Sequence, residues 1–160
     1  MQIYYWWQAC RPKTLIVSIA PVALGICLAI HDEYFNLAVA IVTMLCAIFI
    51  QIATNLVNDV YDYLKGADTD ARLGPPRVIQ SKMLSVGTVK FGIYIVFSIA
   101  LCLGLYLVYV GGDPILIIGS LSLISAFCYT AGPFPLAYNG LGDIFVFIFF
   151  GIIAVPGTYY

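Results

Sequence analysis

The chain has 160 residues, 62% of them hydrophobic and only 9% charged, against about 25% charged in a soluble domain. So few charges cannot clothe a water-soluble globule, and lipid is the expected solvent for most side chains. A formal net charge of −1 also excludes the basic surface that nucleic acid requires.

Five apolar runs follow one another, over residues 14–30, 37–57, 89–110, 115–131 and 144–160. Each is near the roughly 20 residues a spanning helix needs, the first and fourth being short for it. In lipid every backbone polar group must be satisfied within the segment, so each run is predicted to be a helix. The first run has the look of a signal peptide, but four more of the same kind argue against that. The predicted fold class is therefore all-α: a polytopic transmembrane bundle with about five helices present.

Charge placement predicts the orientation. Arg11 and Lys13 precede the first run, and Lys65, Arg72, Arg77, Lys82 and Lys90 surround the connection between the second and third. Alternating helices put both groups on one side, while the opposite connections carry His31, Asp32, Glu33 and Asp113. The basic side, with the N-terminus and the loop over residues 58–85, is the cytoplasmic one by the positive-inside rule. Five cysteines stand alone with no CxxC pair, and they read as small buried hydrophobes rather than as disulfide or zinc ligands.

Chemistry concentrates at the end of the second run. Gln51, Asn55, Asn58, Asp59 and Asp62 recur at spacings of three and four and so share one helical face. Polar groups at membrane depth are costly unless they face a cavity or a partner. Two carboxylates one turn apart repel each other unless a cation lies between them. Oxygen ligands without histidine or thiolate favour Mg²⁺, which is commonly held by one or two carboxylates and substrate phosphates. The plainer reading is a solvated helix end that is acidic by chance. The loop adds Lys65, Arg72, Arg77 and Lys82 among Asp68 and Asp70. Mixed charge of this kind suits a metal–diphosphate complex, because arginine forks grip phosphate oxygens. Lys82 and Lys90 are read as topology signals only, whereas Arg77, following Gly74-Pro75-Pro76, is read as functional.

The stretch Asn55-Leu-Val-Asn58-Asp59-Val-Tyr-Asp62-Tyr-Leu-Lys65-Gly66-Ala-Asp68 resembles the first aspartate-rich motif of the UbiA family of membrane prenyltransferases. Arg72-Leu-Gly74-Pro75-Pro-Arg77 is similar to the branch that prenylates 1,4-dihydroxy-2-naphthoate, and so are Arg11-Pro12-Lys13-Thr14-Leu15 and the segment from Tyr129 to Asp143. The resemblance implies a bundle of nine helices around a central cavity, in a bacterial plasma membrane. It implies Mg²⁺-dependent transfer of a polyprenyl group from its diphosphate to an aromatic ring carbon, with decarboxylation of the acceptor, in menaquinone biosynthesis. Asn55, Asn58, Asp59 and Asp62 would belong to the first diphosphate–Mg²⁺ site, with Asp59 and Asp62 as metal ligands. Lys65, Asp68, Arg72 and Arg77 would line it. Tyr61, Phe127 and Tyr129 would offer π faces to an allylic cation, although packing is the plainer role for Phe127.

Two departures bear on that reading. Phe134 stands where the branch usually has a basic residue, which weakens a phosphate role for the loop around it. No second aspartate-rich motif is present, so residues 1–160 are expected to form one transmembrane domain, the N-terminal half of a longer UbiA-type domain. The competing readings are a transporter segment with an intramembrane cation site at Asn55, Asp59 and Asp62, and a non-catalytic remnant.

Overall fold

A computed structural model describes residues 2–67 and 77–160, and every regular element among them is helical. Helix α1 (Gln2–Cys10) is followed by α2 (Pro12–His31), α3 (Leu37–Leu64), α4 (Val86–Gly111) and α5 (Asp113–Cys128). A short 3₁₀ turn at Ala137–Asn139 leads to the last helix, Gly142–Tyr159.

Local chemistry sets the helix starts. Asn36 accepts a hydrogen bond from the Val39 N–H at 3.1 Å and so caps α3. Ser85 does the same for Thr88 at the start of α4, also at 3.1 Å. Proline stands in the first turn of α2 and of α5, where its missing N–H costs nothing.

α2, α3, α4 and the last helix are long and apolar enough to cross a membrane, at 20, 28, 26 and 18 residues. The fourth apolar run falls short, because α5 has 16 residues and so a length of about 24 Å at 1.5 Å per residue. The expected five spans are thus four long helices and one short one. Two further boundaries differ from the sequence reading. Helix α3 continues to Leu64, well past the apolar run, so Asn58, Asp59 and Asp62 lie on the helix as their spacing predicted, and the connection begins at Lys65 rather than at Asn58. The aromatic segment before Arg11 forms a helix of its own, α1, which was not anticipated.

α3 is the central element, packed chiefly against α4 and also against α2, α5 and α1; α2 lies along the last helix. The apolar core sits at one end of α3. Leu56, Val57 and Val60 are buried there with Ala9, Val78, Ile79, Leu84, Val89, Ile93 and Ala131. One flank of α3 is therefore fixed in packed side chains, and the flank beside it carries the polar motif. Close approaches reinforce the packing. A Cβ at Gly92 would lie 2.5 Å from the Trp6 ring, so the indole of α1 rests against α4 where position 92 has no side chain. A Cβ at Gly25 would lie 2.8 Å from the Val155 carbonyl oxygen, which marks a tight crossing of α2 and the last helix. That last helix widens into a π-helical stretch, Phe147–Ile153, just ahead of Pro156.

Candidate functional site

Asp59 and Asp62 are buried, with side chains 3% and 10% exposed, and arginines are drawn in from two distant parts of the chain. Arg11 Nη2 donates to Asp59 Oδ1 at 3.1 Å. Arg77 lies between the carboxylates, with Nε 3.9 Å from Asp59 Oδ1 and Nη1 2.5 Å from Asp62 Oδ2. Its Nη1 also donates to the Asn58 carbonyl at 2.8 Å, which ties the guanidinium to the backbone of the motif. Asp59 Oδ2 is buried and has no hydrogen-bond partner among the described residues.

The segment after α5 closes over the same helix end. Thr130 Oγ1 donates to Asn58 Oδ1 at 2.7 Å, and the Tyr138 hydroxyl donates to Asp62 Oδ1. Lys65 Nζ donates to the Thr130 carbonyl at 2.9 Å and stands 5.0 Å from the centre of the Tyr138 ring. On the other flank Asn55 Nδ2 donates to the Cys10 carbonyl and to Thr14 Oγ1, both at 2.9 Å. These bonds fasten the joint between α1 and α2, where Arg11 has φ 49° and ψ 67°. Left-handed backbone at a non-glycine residue is strained and persists only where its surroundings hold it. Here the strain aims the Arg11 guanidinium at Asp59.

A cavity of about 400 Å³ opens beside the site. Arg11, Asn55, Asn58 and Tyr129 form its polar mouth, and its walls include Ile50, Ile118, Phe149 and Phe150. A second cavity of about 510 Å³ shares Val22, Ala47, Ile50, Ile118 and Ile153 with it and extends to Val110 and Tyr160, at the other end of the spans. Burial, then the charges of Asp143 and Asp62, hold the Tyr129 phenol above its ordinary ionisation range, so it is neutral at physiological pH.

The predicted site residues therefore divide. Asn55, Asn58, Asp59, Asp62, Lys65 and Arg77 are brought together by direct contacts around one helix end, and Tyr129 lines the mouth of the cavity. Asn55 spends its amide nitrogen on the α1–α2 joint, a holding role. Asp68 and Arg72 lie outside the described residues. Tyr61 and Phe127 pack on each other edge to face at 5.8 Å. Arg11 had been read only for topology and resemblance, and Thr130 and Tyr138 were not singled out. Their partners are 48, 72 and 76 residues away, so no local spacing could pair them.

The chemistry of the donors fits Mg²⁺. They are hard oxygens, and Asp59 Oδ2 is a buried anionic acceptor still able to take a ligand bond. No group of three or more histidine, cysteine or acidic side chains with metal-holding geometry occurs among the described residues. Two carboxylates would thus hold such an ion only together with oxygens from elsewhere.

Fold and site together define an all-helical integral membrane protein with a charged, oxygen-rich site at one end of its spans and an apolar cavity beneath it. The profile of the UbiA prenyltransferase family matches residues 18–160, and the chain belongs to that family. It is 35% identical to the 1,4-dihydroxy-2-naphthoate octaprenyltransferase of Haemophilus influenzae, over 97% of this chain and 53% of that protein. It is 37% identical to the enzyme of the same name from Escherichia coli, over 97% and 52%. A UbiA prenyltransferase domain-containing protein 1 from Dictyostelium discoideum is 29% identical, over 94% and 48%. The chain spans about half the length of these curated relatives. No solved structure matches it. Family membership sets the transporter reading aside.

Proposed function

We propose that the chain carries the first diphosphate–Mg²⁺ site of an enzyme that transfers a polyprenyl group from its diphosphate to 1,4-dihydroxy-2-naphthoate, with loss of the acceptor's carboxyl group, in menaquinone biosynthesis. Residues 1–160 would then be one half of a UbiA-type domain. The observation that carries the reading is the buried, unpartnered Asp59 Oδ2 beside Asp62, at the mouth of an apolar cavity. The names of the bacterial relatives supply the acceptor.

Each residue then has a task. Asp59 and Asp62 hold the cation, which when bound would neutralise the departing diphosphate and orient its oxygens. Arg77 and Lys65, at the rim of the same helix end, bind phosphate oxygens, the arginine as a planar fork and the lysine as a point charge. Asn58 is locked by Thr130 and Arg77, so the carboxylates that follow it at Asp59 and Asp62 keep their register on α3. The apolar wall from Ile50 to Phe150 receives the isoprenoid chain and excludes water from the allylic cation left by ionisation. Tyr129, neutral at working pH, presents an aromatic face at the mouth, where that cation meets the acceptor ring. In this reading the site and the N-terminus face the cytoplasm of a bacterial cell. The support is the seven basic residues gathered at that end of the spans.

The test is prenylated quinol formed by membranes carrying the complete domain, supplied with a polyprenyl diphosphate, the naphthoate and Mg²⁺. Asp59→Ala and Asp62→Ala, at equal membrane content, are expected to lower turnover by about a thousandfold or more, the scale of losing preorganised electrostatic stabilisation. Full activity in either variant, or activity indifferent to chelator, would remove the metal reading.

A further inference from the structure

The buried carboxylates Asp59 and Asp62 already have cationic partners within the protein. Asp59 and Asp62 carry two negative charges, and Arg11 and Arg77 carry two positive ones in direct contact with them. Lys65 adds a third cation at the rim, held over the Tyr138 ring whose hydroxyl bonds Asp62. Both carboxylates therefore already face guanidiniums rather than an open, unpaired acidic cleft. A free divalent ion approaching Asp59 Oδ2 meets two guanidiniums at contact distance from the same carboxylates, and it must also give up tightly held water. A diphosphate meets the opposite situation. It is attracted to the arginines and offers them forks of oxygen acceptors that a carboxylate cannot outbid in number.

The two arginines are mounted so that such an exchange is local. The Arg11 side chain is 24% exposed and lines the cavity mouth, while its backbone is pinned by Asn55 through Cys10 and Thr14. Only the side chain has to swing. Arg77 is anchored through the Asn58 carbonyl, next to Asp59 and one turn before Asp62, so a small rotation carries its fork from carboxylate to phosphate.

We propose that Arg11 and Arg77 hold the Asp59–Asp62 pair closed to a free divalent cation, and that a diphosphate opens it by drawing both guanidiniums onto its own oxygens. This rests on the reading of Asp59 and Asp62 as metal ligands and adds an order to it. Diphosphate enters first or together with the metal, and the metal does not bind alone. Where the two enter together, metal charge replaces the departing guanidiniums and the buried carboxylates stay paired.

The experiment uses the 160-residue chain in lipid nanodiscs, with radioactive manganese as the metal and inorganic pyrophosphate as the anion, and counts metal retained after gel filtration. Asp59→Ala, measured in parallel, sets the background of metal carried nonspecifically by pyrophosphate. In the unmodified chain pyrophosphate is expected to raise specific retention about tenfold or more, within the usual range of coupling between two ligands. In Arg77→Gln, and separately in Arg11→Gln, manganese alone is expected to be retained and the dependence on pyrophosphate to shrink to about twofold. Arg11→Gln keeps the test open if loss of Arg77 disturbs folding. Equal retention with and without pyrophosphate in the unmodified chain overturns the proposal while leaving the metal site standing, as does an undiminished dependence in folded variants. Retention no greater than in Asp59→Ala under every condition removes the metal site itself, and with it this inference.

Discussion

The two ends of α3 invite comparison. At its C-terminal end Asn55, Asp59 and Asp62 are buried, and their side chains bond residues of α1, the α1–α2 joint and the segments on either side of α4 and α5. At its N-terminal end Leu37 and Ile41 are 63% and 51% exposed, and the one capping contact is Asn36 to Val39, three residues away. The same helix is thus held by long-range polar contacts at one end and is largely bare at the other. Bare apolar surface costs nothing in lipid, where the hydrophobic effect does not drive helices together. Buried charge is costly there unless paired, so the charged end must be organised to exist at all. The site end is the specified part of the molecule, and the opposite end needs only close-fitting backbones.

That contrast can be broken most forcefully at Arg77. Arg77→Ala removes the guanidinium from the buried Asp62 carboxylate, leaving it the Tyr138 hydroxyl, and takes the side-chain donor from the Asn58 carbonyl. Thermal unfolding in detergent is expected to show a loss of about 3–5 kcal/mol, the cost of breaking one side of a buried pair. Leu105→Ala, in the far half of the spans at a side chain 57% exposed, is the matched control and is expected to change stability by less than about 0.5 kcal/mol. Equal effects at the two positions would show that the polar web is not what holds the site end.

A smaller effect is expected where the far half does pack tightly. Gly25→Leu puts a side chain against the Val155 carbonyl and Thr158, where even a Cβ would be 2.7 Å from the Thr158 Cβ. Overpacking of this kind costs about 1–3 kcal/mol and is expected to part α2 from the last helix. Cross-linking between cysteines introduced in those two helices would register the separation, and an unchanged cross-linking yield would show that the crossing tolerates bulk.

The smallest effect concerns pH. The Tyr129 phenol ionises at a higher pH in the folded protein than its ordinary 10.0, because of burial and then of Asp143 and Asp62. The unfolded chain therefore loses this proton first as pH rises. Its stabilising contribution is complete below pH 10.0 and is lost as pH climbs toward the raised folded value. Tyr129→Phe is expected to flatten that alkaline limb and to leave the stability profile unchanged near neutrality. An identical alkaline limb in the variant would place the titration elsewhere.

Membrane residence, the all-helical class and the polar face from Gln51 to Asp62 were legible in the sequence, because they depend on composition and on a period of three to four residues, both local properties. The motif residues were readable for the same reason, since consecutive turns of one helix bring Asn55, Asn58, Asp59 and Asp62 together without help from the fold. Which charges meet was decided only by the tertiary structure. Arg11 reaches Asp59, Tyr138 reaches Asp62 and Thr130 reaches Asn58 across 48, 76 and 72 residues, and only the packing of α3 against its neighbours closes those distances. The strained joint at Arg11 and the helix before it were hidden as well. A left-handed residue between two helices leaves no periodic trace, and the Trp6 indole rests where Gly92, on another helix, has no side chain. Sequence therefore placed the carboxylates, and the fold chose the cations that face them, because like spacing on one helix is encoded locally whereas charge pairing between helices is a property of how they pack.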